Sequence, residues 1–219
     1  IFCFLTLSIF SICEYLKLFW KYPKNKKYLF LFEPRVVAPI IYWKIIHIFF
    51  NKIYTWDDSL VDNKKYFKFI WPQSWNWLQN SIPFTEKKWI VLMNANKFSL
   101  WKYELYSFRE KIIRYFETEK IEFDLYGPGW GKANLSQRIF GYAPFPSWRG
   151  RADDKIVTIA RYKFNICFEN MSNTPGYMTE KIWDSFKAKT VPIYWAASNI
   201  EEYVPKNCFI DYRAFWDFA

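Results

Sequence analysis

Histidine is almost absent from this 219-residue sequence, and its four cysteines show no metal-ligand spacing. With His47 as the one histidine, a histidine-based metal site is not expected, and this residue is expected to fill the core or to lie on the surface. The cysteines form no C-x-x-C pair and no Cys/His pair, so neither a disulfide framework nor a zinc site is expected. Cys167 lies in an apolar run, where a thiol usually packs as a small apolar side chain.

Long hydrophobic segments and a basic leader are also missing. Residues 1–13 are mostly apolar, but this run is too short to span a bilayer and lacks the charged start of a signal peptide. We expect a buried strand there, followed by a helix that ends near Trp20. The sequence starts without Met and stops soon after its most distinctive stretch, so we expect it to be a fragment.

Basic and aromatic residues are abundant. The 31 basic and 21 acidic residues give a net charge of +10, which favours an anionic partner such as a nucleotide, a nucleic acid or a membrane surface. Aromatic residues make up 24% of the chain. An AT-rich genome also produces much Phe, Tyr, Ile, Asn and Lys, so we attribute only part of the charge to function.

Glu33 is the acidic residue of interest near the N-terminus. It follows a predicted strand, Tyr28–Phe32, and precedes Pro34, whose ring restricts the backbone. A carboxylate at the C-terminal end of an apolar strand can point to whatever lies over the edge of the sheet. A solvated loop position explains the same residue equally well, so both interpretations stay open.

Asp57 and Asp58 form a second acidic feature, after the predicted strand Ile53–Trp56. Paired carboxylates can hold a divalent cation. The residues that follow, SLVDN at 59–63, favour a turn with a helix N-cap instead. Residues 71–84 are irregular and contain two prolines, and we predict a linker there.

The next part of the chain contains further predicted strands and helices. Strands are predicted at Trp89–Met93 and Phe123–Tyr126, and helices at 105–117 and 155–162. Arg109 lies at the edge of the apolar stripe of the first helix. It can face a phosphate from there, or it can be an exposed or ion-paired arginine.

The most informative stretch is residues 162–215. Phe164–Phe168 predicts a buried strand, apolar residues at helical spacing follow from Ile182, and Val191–Trp195 predicts the next strand. Between the first strand and the helix, residues 176–181 (GYMTEK) place a turn, a hydroxyl, a carboxylate and an ammonium group. Phosphate groups bind at such a switch, because free N–H groups and the helix dipole favour an anion. A surface loop with a helix cap is the alternative.

This stretch closely resembles the donor-binding signature of the α-1,3-fucosyltransferases, glycosyltransferase family ten. The matching segments are YKFNICFEN, GYMTEKIWD, VPIYW and FIDYRAF. Shorter upstream segments are similar to other motifs of the family: Asn94–Asn96, Ser107–Arg109, Trp148–Gly150 and Phe32–Pro34. Ala196 departs from the pattern, because the family usually has glycine after this Tyr-Trp pair.

The resemblance implies the GT-B fold, an α/β architecture in which two Rossmann-like domains face each other across a cleft. It implies an N-terminal acceptor-side domain at residues 1–86 and a C-terminal GDP-fucose-binding domain at residues 87–219. Neither domain is expected to be complete, since an initial segment and the C-terminal helices that usually finish the donor domain are missing from the sequence.

The resemblance further implies inverting transfer of L-fucose from GDP-β-L-fucose to the 3-hydroxyl of GlcNAc or glucose in a glycan. By carry-over, Glu180 binds the ribose, Lys181 and Arg109 bind the pyrophosphate, Tyr177 and Asn170 line the nucleotide site, and Glu33 is the general base. We expect no metal and no cofactor, because no convincing D-x-D motif lies near the donor unit and the cations can take the place of a metal. GDP-fucose and a glycan acceptor are the implied partners.

Two alternatives stay open: a transferase that uses another GDP-sugar, such as GDP-mannose, and a non-catalytic glycan- or nucleotide-binding protein. A nucleic-acid-binding module is not expected, since no segment resembles an RNA-binding motif. The sequence determines neither the acceptor nor the compartment. A bacterial or viral enzyme would be cytosolic or membrane-associated through its basic surface, and a eukaryotic one would lie in the Golgi membrane.

Overall fold

Four parallel strands form the first sheet. The computed structural model describes residues 2–4, 21–74, 77–80, 82–133, 135–140 and 144–218. The strands β1 (Phe2–Phe4), β2 (Tyr28–Leu31), β3 (Lys52–Thr55) and β4 (Tyr66–Lys68) pair in the order β1-β2-β3-β4. Buried residues alternate along β2 and β3, as expected for strands with one face on a core. The strands predicted at 28–32 and 53–56 are confirmed, and the predicted helix that ends near Trp20 lies outside the described residues.

Short helical segments connect these strands. A 3₁₀ turn at Pro39–Tyr42 and helix α1 (Lys44–His47) lie between β2 and β3. His47 is buried, with Nε2 2.7 Å from the carbonyl oxygen of Ile41 and Nδ1 2.9 Å from the hydroxyl of Tyr66. Of the two positions expected for this residue, the core and the surface, the structure shows the core. In the described part of the chain, every helix is too short or too polar to span a membrane.

Asp57 caps a helical turn after β3. Its carboxylate accepts a hydrogen bond from the amide of Ser59 at 3.0 Å, at the start of the 3₁₀ turn Asp58–Leu60. The N-cap interpretation is therefore confirmed for Asp57, whereas Asp58 has different partners. The predicted linker at 71–84 contains neither strand nor helix among its described residues before the 3₁₀ turn that starts at Phe84.

Five parallel strands form the second sheet. They are β5 (Lys88–Met93), β6 (Phe123–Tyr126), β7 (Tyr162–Phe168), β8 (Val191–Trp195) and β9 (Ile210–Asp211), in the order β6-β5-β7-β8-β9. The helices are α2 (Tyr106–Thr118) after β5, α3 (Leu135–Phe140) and α4 (Lys155–Ile159) after β6, and α5 (Glu180–Lys187) after β7. Parallel strands alternating with helices confirm the predicted α/β class.

The helix predicted at 155–162 is shorter than expected. α4 ends at Ile159, and Tyr162 is the first residue of β7. The hydroxyl of Tyr162 donates to Asp124 Oδ2 of β6 at 2.6 Å, and the amide of Lys88 donates to the carbonyl of Arg161 at 2.8 Å. These contacts with the neighbouring strands hold Tyr162 in the sheet.

Helices cover both faces of the second sheet. Leu92 packs with Ile113 of α2 on one face. Its neighbour Val91 packs with Ile159 of α4 and with Ala188, just after α5, on the other. The chain runs from β5 outward to β6 and then returns to β7 on the opposite side, so a crevice opens at the C-terminal ends of β5 and β7.

One hydrophobic core joins the two sheets. Leu31 and Trp56 from the first sheet and the segment after it belong to the same buried cluster as Tyr177, Met178 and Tyr194. The rings of Trp56 and Tyr177 lie 4.5 Å apart. The end of β3 therefore lies beside the turn that precedes α5.

Gly176, in that turn, provides a test of this packing. It has a φ of 76°, and a Cβ there would lie 2.3 Å from the carbonyl oxygen of Trp56. We expect Gly176→Ala to lower the free energy of unfolding by more than about 2 kcal/mol, because backbone strain of about 1–2 kcal/mol is added to a backbone clash. Urea unfolding followed by circular dichroism measures this loss.

Gly150→Ala is the matched control. Gly150 has a similar φ of 87°, but a Cβ there would meet no atom within 4 Å. It should show the backbone strain alone. Equal losses for the two variants would contradict the close contact between the turn and Trp56.

Candidate functional site

A cavity of about 420 Å³ opens at the C-terminal edge of the second sheet. Its walls are the end of β5 with the two residues after it (93–95), the segments that follow β6 (Gly127 and Pro128) and β7 (Asn170), and the start of α5. This is the topological switch point of the sheet, where ligands bind in open α/β folds. The strand order therefore places the cavity, and the side chains on its walls decide what it can bind.

Positive charge dominates these walls. The charged side chains that line the cavity are Lys97, Arg109, Arg151, Lys155, Lys181 and Glu180. Five cations around one carboxylate create a site suited to an anionic ligand. Of the residues predicted from the sequence, Arg109, Asn170, Glu180 and Lys181 all lie on this cavity, whereas Lys155 and Arg151 were not identified.

Arg109 is anchored to the end of β7. It is 2% exposed, and its Nη2 donates to the carbonyl oxygens of Phe168 at 2.7 Å and Glu169, and to Asn170 Oδ1 at 3.2 Å. Burial lowers the pKa of Arg109, and the charge of Glu169 among others opposes that shift. Its buried Nε has no hydrogen-bond partner in the described part of the chain. The guanidinium is thus fixed at the cavity wall.

Glu169 is a site residue that sequence reasoning did not identify. Its carboxylate is fully buried and accepts from Lys181 Nζ at 2.6 Å. It also accepts from the amide of Thr179 at 2.8 Å and from its hydroxyl at 2.7 Å. Glu169 is part of the matching segment YKFNICFEN, but its partners Thr179 and Lys181 lie ten and twelve residues further along the chain. These contacts hold the ammonium group of Lys181 at the start of α5.

Glu180 carries the negative charge of the cavity wall. Its Oε1 lies 3.7 Å from Lys155 Nζ, and Lys155 also pairs with Asp184 Oδ2 at 2.6 Å. Burial raises the pKa of Glu180, but the charges of Lys181 and Lys155 outweigh this effect and hold that pKa below its ordinary value. The group is therefore an ionised acceptor at neutral pH. A carboxylate in this state can accept hydrogen bonds from sugar hydroxyls.

Tyr177 lies between the two sheets and does not line the cavity. It is 1% exposed, and its hydroxyl has no hydrogen-bond partner among the described residues. Burial raises the pKa of Tyr177, and the negative charges of Glu169 and Glu33 raise it further, against the effect of Arg109. The ring is held by Trp56, and its carbonyl oxygen accepts from the hydroxyl of Tyr194 at 3.1 Å.

Glu33 lies just after β2 of the first sheet and is half-buried. Its carbonyl oxygen accepts from the hydroxyl of Tyr42 at 2.9 Å. Burial raises the pKa of Tyr106 to about 12, and the charge of Glu33 contributes to that increase against the opposing effect of Arg109. Glu33 does not line the cavity.

No group of three or more His, Cys, Asp or Glu side chains that could hold a metal ion occurs among the described residues. Asp57 and Asp58 were considered above as a possible metal-binding pair. Instead, Asp57 accepts a hydrogen bond from the amide of Ser59, and Asp58 forms an ion pair with Lys68.

Sequence comparisons identify relatives for the region that contains this cavity. The family model "Glycosyltransferase family 10 (fucosyltransferase) C-term" matches residues 86–219. An α-(1,3)-fucosyltransferase FucT of Helicobacter pylori is 41% identical over 66 residues, which cover 30% of this chain and 13% of the relative. The GDP-fucose protein O-fucosyltransferase 3 of Homo sapiens is 34% identical over 99 residues, which cover 45% of this chain and 19% of the relative.

Solved structures match most of the chain. A crystal structure of an α1,3-fucosyltransferase superposes with a TM-score of 0.58 at 14% identity, over 89% of this chain and 59% of the other. A crystal structure of an α1,3-fucosyltransferase with GDP-fucose gives a TM-score of 0.56 at 16% identity, over 90% of this chain and 62% of the other. The predicted GT-B fold is confirmed by this likeness.

The chain spans less than a fifth of the length of the curated relatives it matches and about three fifths of the solved structures. The family model nevertheless covers more than half of the chain, and the recognised signature and the fold agree with it. This chain belongs to glycosyltransferase family 10, the fucosyltransferases.

Proposed function

We propose that the protein transfers L-fucose from GDP-β-L-fucose to an acceptor hydroxyl, with inversion at the anomeric carbon. One observation carries this proposal: Arg109, Asn170, Glu180 and Lys181 meet on one cationic cavity at the switch point of the second sheet. Family membership supplies the donor class, and the arrangement of charges suits a nucleotide diphosphate.

The diphosphate is proposed to bind between Arg109 and Lys181. As the bond to fucose breaks, negative charge accumulates on the leaving diphosphate, and fixed cations stabilise that charge without reorganising. A guanidinium suits two oxygens at once and an ammonium acts as a point charge, so the two groups complement each other. In this proposal they take the place of a metal ion, and no cofactor is required.

The other polar groups are proposed to orient the nucleoside and the sugar. Glu180, held ionised by Lys155 and Lys181, accepts hydrogen bonds from the ribose hydroxyls. Asn170 lines the same cavity and is proposed to contact the nucleoside.

Glu33 is proposed to be the general base. Inversion requires the acceptor hydroxyl to attack from the side opposite GDP, so the group that takes its proton must lie across the cleft from the donor. Two observations support this choice: Glu33 follows β2 of the first sheet, whereas the cavity belongs to the second sheet, and its charge contributes to the raised pKa of Tyr106 and of Tyr177.

The acceptor is proposed to be the 3-hydroxyl of GlcNAc or glucose in a glycan. The similarity to an enzyme named α-(1,3)-fucosyltransferase supports this choice. A hydroxyl group of a protein is the second candidate, because several similar relatives are named GDP-fucose protein O-fucosyltransferase 3.

A donor and acceptor panel tests the reaction. The protein is incubated with GDP-fucose or GDP-mannose, each with N-acetyllactosamine, with other GlcNAc-terminated glycans, with a folded protein acceptor or with no acceptor, and released GDP is measured. We expect acceptor-dependent GDP release from GDP-fucose, with a glycan as the best acceptor. Release from GDP-mannose alone would contradict the proposed donor, and fucose on the protein acceptor alone would favour the second candidate.

Lys181→Met tests the proposed cation at the diphosphate. Turnover should decrease at least about tenfold, the effect of about 1.4 kcal/mol on the barrier, because the leaving group loses a fixed positive charge. The same change leaves the buried carboxylate of Glu169 without its cation, so the variant should also be less stable. Initial rates and thermal unfolding are measured together.

The double variant Lys181→Met/Glu169→Gln separates these two effects. It removes the uncompensated charge, and glutamine can still accept from Thr179, so stability should recover while turnover stays low. If turnover also recovered, Lys181 would serve Glu169 alone and would not contact the diphosphate.

Glu33→Gln tests the general base. Transfer should slow by a factor of about 10²–10⁴, the usual contribution of a positioned base, while the dissociation constant for GDP stays the same. Single-turnover transfer and calorimetric titration with GDP measure the two quantities. Glu86→Gln, an exposed change in the segment between the two sheets, is the control and should leave both unchanged. Full transfer activity in Glu33→Gln would show that another group is the base.

A further inference from the structure

Asp58 joins the two sheets through a single carboxylate. It lies after β3, and its carboxylate pairs with Lys68, the last residue of β4. The same group accepts from Asn199 Nδ2 at 3.0 Å and from the hydroxyl of Tyr203 at 2.7 Å, both of which follow β8. The hydroxyl of Tyr203 also lies 2.7 Å from Lys68 Nζ, so the four side chains form one network.

This network contacts the turn that carries Tyr177. The amide of Asp58 donates to the carbonyl of Pro175 at 3.2 Å, and the amide of Gly176 donates to Asn199 Oδ1 at 2.7 Å. The packing is close, since a Cβ on Gly176 would lie 2.6 Å from Asp58 Oδ2. Asp58 therefore fixes the backbone of Pro175 and Gly176, just before Tyr177.

Trp56 extends the network to the residue before Glu33. Its indole Nε1 donates to the carbonyl of Phe32 at 3.1 Å, and its own carbonyl accepts from Lys68 Nζ at 2.9 Å. Its ring packs against Tyr177. One connected set of contacts thus runs from the segment of Glu33 to the donor side of the cleft.

We propose that Asp58 is a positioning residue, which sets the distance between Glu33 and the turn that carries Tyr177 and leads into α5. The inference rests on the proposed fucosyl transfer and assigns no chemical step to Asp58. The side chains of Lys68 and Asp58 are 28% and 26% exposed, and partly exposed ion pairs contribute little to stability. The arrangement of three donors around one carboxylate is instead suited to fixing an orientation. A displacement of the reacting groups by about 1 Å can slow a reaction by about 10²-fold. A constraint on their separation would therefore increase the rate of an inverting transfer.

Asp58→Asn tests this role, because it keeps the size of the side chain and removes its charge and one acceptor. We expect kcat for transfer to decrease about tenfold or more, while KM for GDP-fucose and the Kd for GDP stay within about twofold of the unchanged protein. Asp62→Asn is the matched control. Asp62 is exposed and accepts from the nearby amides of Lys64, Lys65 and Tyr66, so the kcat of this variant should not change.

Tyr203→Phe keeps the test decisive if Asp58→Asn does not fold. It removes one hydroxyl from the network and should lower kcat in the same direction, with a smaller effect and an unchanged Kd for GDP. An unchanged kcat in both variants, or a loss of GDP affinity equal to the loss of kcat, would overturn the positioning role. If the unchanged protein transfers no fucose, the proposed function is wrong and this inference fails with it. If the unchanged protein does transfer fucose, these variants test the role of Asp58 alone.

Discussion

The donor side of the protein depends on the buried carboxylate of Glu169. A buried ion costs several kcal/mol to desolvate unless charge and hydrogen bonds compensate it, and removing one partner costs about 3–5 kcal/mol. Lys181 and Thr179 supply that compensation. Both belong to the start of α5, so the carboxylate ties the end of β7 to the start of this helix. The helix N-terminus and its cation are held together at the switch point of the sheet.

The same strand end also holds the second cation in place. Arg109 arrives from α2, which follows β5, and its guanidinium donates to the carbonyl oxygens of Phe168 and Glu169. The amide of Leu105 donates to the carbonyl of Asn170 at 3.0 Å, which fixes the start of α2 against β7. Cations from two different helices are therefore in position before any ligand arrives. Such preorganisation is what stabilisation of a developing negative charge requires.

The sequence predicts the strands of this fold well, because short apolar runs bounded by turns admit few other structures. It does not predict the end of α4, since the partner that holds Tyr162 in the sheet, Asp124, lies 38 residues earlier. Arg109 was placed at the site by the family resemblance and not by its spacing. Glu169 was missed because a carboxylate after an apolar run also suits a solvated strand end. Asp58 could not be interpreted correctly, since two of its partners lie more than 140 residues away.

The carboxylates around the cleft differ in their electrostatic environment, and this difference bears on which of them can act as a base. Glu169 is fully buried and pairs with Lys181, and the charges of Lys181 and Lys155 hold the pKa of Glu180 below its ordinary value. Glu33 takes part in no ion pair within the described part of the chain. It also follows β2 of the first sheet, whereas the cavity belongs to the second sheet. The absence of a neutralising cation agrees with the proposed role of Glu33 as the general base.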